Sequence, residues 1–187
     1  MTPEAITALF TRDGQFRCAR WGRPVAPVIF GLADETLDIF RSVLRAGFAH
    51  ARHPMTDTDP EMGANLFLFF CRDWSELDPV PDLDRLTGQP DLAARLRAEN
   101  AGQFRMFRFD PDGGIRACLY FLRIPDNTDL HPAALAEVIF TRAALSFAQD
   151  QAVTPELAAL IRAAYDPALP VCATDASHAL RLAARMA

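Results

Sequence analysis

Hydrophobic and polar positions fall into distinct blocks along the chain, and the longest block with concordant local signals runs from Gln103 to Asp150. Two apolar runs flank Asp110-Pro111-Asp112-Gly113-Gly114. Pro111 pre-sets φ for a turn and the two glycines accept positive φ, so the pattern predicts a β-hairpin. A helix over about 131–149 is predicted next. Leu135, Val138, Ile139, Phe140, Ala143, Ala144, Leu145 and Phe147 leave only Glu137, Thr141, Arg142 and Ser146 polar. That is too apolar for a surface helix, so it is expected to be the buried helix of the fold.

The other blocks read in chain order. Leu9 to Trp21 carries Asp13-Gly14 between strand-like flanks and predicts a second hairpin. Val25 to Phe30 predicts a strand, and Pro27 within it assigns that strand to a sheet edge. Asp34 offers an N-cap to a helix in which Leu37, Phe40, Val43, Leu44, Gly47, Phe48 and Ala51 recur at helical spacing, ending before Pro54. After a polar loop from His53 to Gly63, Asn65 to Cys71 is apolar on both faces and predicts a central strand covered on both sides. Asp73 to Asp91 holds six acids, one base and three prolines, so its net charge of −5 equals that of the whole chain. It is expected to be an exposed excursion with a short helical turn, followed by a helix through Leu92, Leu96 and Glu99 capped by Asp91. Thr154-Pro155-Glu156 is a helix start, and a last helix capped by Thr174 or Asp175 should bury Ala176, Ala179, Leu180 and Ala183. Strands and helices without regular β-α alternation predict one α+β domain over 1–187, with a mixed, mainly antiparallel sheet packed on the buried helix and further helices.

Composition narrows the function classes. Fourteen Phe against two Tyr and two Trp suit a core of rings that need no hydrogen-bond partner. All 19 basic residues are Arg, a genome-composition signature, although Arg forks also suit carboxylate and phosphate ligands. The net charge of −5 gives no electrostatic footprint for nucleic acid. No stretch is apolar enough for a membrane span and Met1 to Ala5 has no leader-like pattern, so a soluble, cytoplasmic chain without a membrane partner is expected. Cys18, Cys71, Cys118 and Cys172 form no C-x-x-C pair and are expected as reduced thiols, mostly buried.

Three features compete for chemistry. Glu137 on the apolar helix is either part of a small polar seam with Thr141 and Arg142, or a carboxylate lining a cleft as general acid or base. His50 and His53, one turn apart with Asp57, Asp59 and Glu61 downstream, could share a metal, but imidazoles in a last helical turn also satisfy its free carbonyls. The acidic excursion is either a solvated loop or a lid that binds a cation or a partner. His131 and His178 sit near expected helix starts and suit capping or surface roles. No Gly-x-Ser-x-Gly, P-loop or Gly-x-Gly-x-x-Gly is present.

The order of elements, with a sheet followed by a buried helix carrying Glu137, is similar to the zincin arrangement, in which His-Glu-x-x-His holds zinc. Here those five residues read Ala136-Glu137-Val138-Ile139-Phe140. Through Arg20-Trp21 with Pro24-Val25, the helix around Glu137 and the tail Leu160 to Leu169, the chain resembles an uncharacterised bacterial family of zincin-like domains with a degenerate helix. The resemblance implies a zincin-like fold without zinc, since Ala136 and Phe140 cannot coordinate a metal, and it carries no substrate. The resulting expectation is a non-catalytic module with no cofactor, binding an unknown protein or small molecule. The alternative is a hydrolase using Glu137, assisted by a metal held by residues distant in sequence.

Overall fold

A computed structural model of the chain describes residues 1–124 and 131–186. It opens with α1 (Pro3–Phe10), which the sequence pattern did not signal; Thr2 caps it by accepting from the Ala5 N–H. The first hairpin follows as β1 (Thr11–Arg12) and β2 (Gln15–Phe16), turning at Asp13 and Gly14, both at positive φ. Next come β3 (Cys18–Ala19), β4 (Pro27–Phe30) and α2 (Asp34–His50), then β5 (Leu66–Cys71). A 3-10 turn at Trp74–Leu77 leads to α3 (Leu83–Thr87) and α4 (Leu92–Ala98). The second hairpin, β6 (Gln103–Phe109) and β7 (Ile115–Arg123), precedes α5 (Pro132–Ala144), α6 (Pro155–Ala164), β8 (Cys172–Ala173) and α7 (His178–Met186).

The fold is α+β with mixed sheets. The largest has the order β4-β5-β7-β6, with β4 and β5 parallel, β5 and β7 parallel, and β6 and β7 antiparallel. β1 with β2, and β3 with β8, form two small antiparallel ladders. Pro27 lies on an edge strand, as its missing N–H requires. β5 is interior and its side chains alternate: Leu66, Leu68 and Phe70 enter the main core, while Phe67, Phe69 and Cys71 face a second cluster. The main core lies under α2 and α5, whose contact is set by Gly47; the Phe140 ring packs on it and meets Phe48 edge-on at 5.2 Å.

Four boundaries and faces differ from the sequence expectation. The buried helix ends at Ala144, because Leu145 leaves it to bridge Arg20 and the Ser146 N–H bonds to the Ala19 carbonyl. Tertiary strand pairing outweighs helix propensity there. The acidic segment is not an exposed excursion: Trp74, Leu77, Leu83, Leu92 and Leu96 are buried against Leu119 and Phe121, so it covers the second face of the sheet with its acids turned outward. Asp91 precedes α4 in a left-handed conformation, without a side-chain capping bond. The last helix begins at His178 and buries Leu182, while Leu180 is exposed.

Candidate functional site

Glu137 lies on the exposed strip of α5 and has no hydrogen bond or ion pair among the described residues. The burial on which its acid-base role rested is therefore absent. Ala136 and Phe140, at the positions a zincin gives to its ligands, are both buried. Arg142 does not form a polar seam with Glu137. It turns to the sheet, donating to Gln103 Oε1 at 2.8 Å and to the Gln151 carbonyl at 3.1 Å.

His50, the last residue of α2, and His53 just beyond it are drawn apart by different partners. Exposed His50 sets Nε2 against the Ala158 carbonyl at 3.2 Å, whereas half-buried His53 donates Nε2–H to the Arg23 carbonyl at 2.8 Å. Asp59, one of the acids downstream, is buried and committed to the loop: its carboxylate accepts from the N–H groups of Glu61 and Met62 and from Asn65 Nδ2. Burial pushes that carboxyl up, but these bonds and nearby Arg23 outweigh it and hold it below the usual range. Among the described residues no three His, Cys, Asp or Glu side chains gather as a metal site. His131 caps α5 by accepting from the Ala133 N–H, and His178 is buried. Burial disfavours the thiolate at two of the cysteines, pushing Cys71 up to about 11 and Cys118 up to about 12.

What the structure does bring together is a cavity of about 840 Å³ lined by Arg20, Arg52, His53, Arg162, Tyr165, Asp166 and Arg185. Each comes from a different part of the chain for a local reason. Arg20 follows β3, its N–H bonded to the Val171 carbonyl and its own carbonyl to the Ile115 N–H, both within 2.9 Å. Its guanidinium lies 5.6 Å from the Tyr165 ring centre and reaches the Leu169 carbonyl at 3.3 Å, while its Nε is buried without a partner. Arg52 takes φ of 58° just past α2, which turns the chain so that the His53 ring packs tilted against Tyr165, 4.9 Å between ring centres. Tyr165 ends α6 and is fixed by donating its hydroxyl to the Ala144 carbonyl at 2.8 Å; burial pushes its phenol well above the usual range.

Four guanidiniums face one carboxylate among the described lining residues. Asp166 is engaged already by the Ala168 N–H and by Arg185, at 2.6 Å from its Nε, which together hold it below the usual range. Arg52 and Arg162 have no hydrogen-bond or ion-pair partner among the described residues. Three helix C-terminal ends, those of α2, α6 and α7, also converge on this cavity, and cations at such ends complement the helix dipole. Each dipole end is worth about half a negative charge, so three of them leave the cavity net positive. His53 stays out of that sum near neutral pH: burial, assisted by Arg20, holds its imidazole below the usual value against the bond to Arg23.

The cavity unites His53, Arg20 and the tail around Arg162 to Asp166, three stretches noted separately in the sequence. Arg20, Arg52, Arg162 and Arg185 as a set have no sequence signal, because four distant segments supply them. No family model matches the chain, and no curated protein and no solved structure matches it either.

Proposed function

We propose that this chain is a non-catalytic binding module whose ligand is a small anion carrying phosphate or carboxylate groups. The observation that carries this reading is the Arg-lined cavity, net positive within a chain of net charge −5. Partnerless guanidiniums at Arg52 and Arg162 offer planar forks that match two anionic oxygens at once. A compact ligand fits better than a nucleic acid, since the positive charge is confined to one cavity on an acidic chain. The hydrolase reading lacks comparable support, because Glu137 is exposed and does not line this cavity.

The zincin-like resemblance belongs to the same proposal, with Ala136 and Phe140 as packed side chains on a helix relieved of catalysis. A cytoplasmic setting suits four unpaired cysteines, and no helix among the described residues is long and apolar enough to cross a membrane.

The test is thermal unfolding in sodium phosphate and in sodium citrate against sodium chloride of equal ionic strength. A ligand present at a hundredfold excess over its Kd stabilises by about 2.7 kcal/mol. Phosphate or citrate should raise Tm beyond chloride, and the Arg52→Gly, Arg162→Ala double variant should lose that increment. An equal rise in chloride, or an unchanged increment in the variant, overturns the proposal.

A further inference from the structure

We infer that the open edge of β6 is a docking site for an extended peptide with acidic side chains, which joins the large sheet as a fifth strand. β6 is the outer strand of the order β4-β5-β7-β6 and spans seven residues, Gln103–Phe109. Its bonding alternates. The Arg123 N–H donates to the Gly102 carbonyl, so with the register Gln103↔Leu122 the even-numbered residues of β6 face β7. Gln103, Arg105 and Phe107 therefore turn their backbone N–H and C=O groups outward, and none of these bonds another backbone group among the described residues.

A groove of about 820 Å³ runs along this edge. It is lined by residues from both faces of β6, Arg105 and Phe107 on one and Phe104 and Met106 on the other, so it follows the strand's rim and does not sit on one face. The β1-β2 hairpin and residues 146–150 form its wall. An added strand needs donors and acceptors at alternate residues and room for side chains on both faces, and this groove supplies both.

Charge selects the occupant. Arg12 donates to the Ala148 carbonyl and Arg17 stacks on the Phe109 ring at 4.3 Å, and neither has a carboxylate partner among the described residues. Arg105 differs: it is buried by the Arg142 carbonyl and by Asp150, 3.5 Å away, and so shapes the groove without being free to bind. Arg105, Arg108 and the register shift at Arg108/Phe109 are the charges and the bulge by which proteins keep sheet edges from self-pairing. A second copy would bring the same excess of guanidinium to the same edge. An acidic strand meets Arg12 and Arg17 with opposite charge.

The probes are two fluorescein-labelled heptapeptides, one alternating Glu and Val and the other alternating Lys and Val, read by anisotropy and by amide hydrogen exchange. The Glu/Val peptide should bind about tenfold more tightly than its Lys/Val counterpart, a difference of one decade in Kd. It should slow exchange at the outward amides of Arg105 and Phe107, while Phe104 and Met106 keep the protection β7 already gives. Arg17→Glu should remove the preference for Glu/Val. Phe107→Pro should abolish binding by deleting an outward donor, whereas Phe107→Ala, which removes the same ring from the core and from Phe109 but keeps that donor, should still bind. Equal affinity for both peptides, no binding at millimolar peptide, or binding that leaves those two amides unprotected overturns the inference. Concentration-dependent dimerisation that protects the same amides without peptide overturns it too, in favour of a second copy.

Discussion

A Cβ on Gly47 would lie 2.6 Å from the Phe140 ring, closer than any real contact, so α2 and α5 meet at their observed separation only because residue 47 lacks a side chain. Phe140 is wedged between Phe48 and that glycine and cannot swing aside without opening the core. Gly47→Ala is expected to destabilise by about 1 to 3 kcal/mol through overpacking, despite the higher helix propensity of alanine. Phe140→Ala should lose about 3 to 5 kcal/mol. The two changes should not add, since truncating the ring frees space for the new methyl. Urea unfolding of both singles and the double, compared at equal m-value, checks this; additive losses would mean that the glycine contact is not limiting. At this scale the sequence reveals residue types and hides their neighbours. Gly47 read as one more small residue in an apolar stripe, and Glu137 read as lying at a polar seam or in a cleft on a buried helix, because that helix is rich in alanine and aliphatic residues. Ala134 and Glu137 in fact form an outward strip that alanine's small surface leaves nearly invisible to periodicity.

Between residues 74 and 98, three short helical pieces cover the second face of the sheet where Leu119 and Phe121 lie, leaving Phe30 at the β4 edge exposed. Trp74 is fully buried and donates Nε1–H to the Ala101 carbonyl at 2.8 Å. Trp74→Ala should therefore cost about 3 to 5 kcal/mol. Limited proteolysis of the native chain should spare this cover; early cleavage within 74–98 would show that its packing is weaker than its burial implies. Its acids and prolines suggested solvent because charge was counted over the whole segment. With pieces of only four to seven residues, the inward apolar positions recur too few times to register as a period. What was legible rested on local chemistry or on an unbroken apolar run: the two hairpin turns, the edge strand marked by Pro27, the central strand β5, and the start of α6, where Thr154 accepts from the Leu157 N–H. The end of α5 was not, because a strand pairing more than a hundred residues away decides it.

Across the whole molecule, one buried and one half-buried imidazole make stability depend on pH. Burial holds His53 and His178 below their usual value, and Arg181 and Arg185 act in the same sense on His178. The unfolded chain then binds protons more readily than the folded one, so stability is full above the unfolded value of about 6.5 and falls as pH drops below it. In phosphate-free buffer, Tm should be lower at pH 5 than at pH 7.5. His178→Leu should shrink that difference, as the Nδ1 it removes has no hydrogen-bond partner; an unchanged difference would place the pH dependence elsewhere. The Arg-lined cavity belongs to this scale too, and no local pattern announced it.

The ladder that joins β3 to β8 pairs Cys18 with Ala173 and Ala19 with Cys172, and Arg20 is anchored beside it to Val171. Closing so wide a loop is among the slowest contacts a chain of this size makes. On the ribosome, the large sheet and its acidic cover can assemble while the tail is still in the exit tunnel, but the Arg20 guanidinium cannot find Tyr165 until that tail emerges. Anion affinity would then appear late in synthesis, after most of the chain has already folded, and stalled nascent chains ending before residue 171 should lack it.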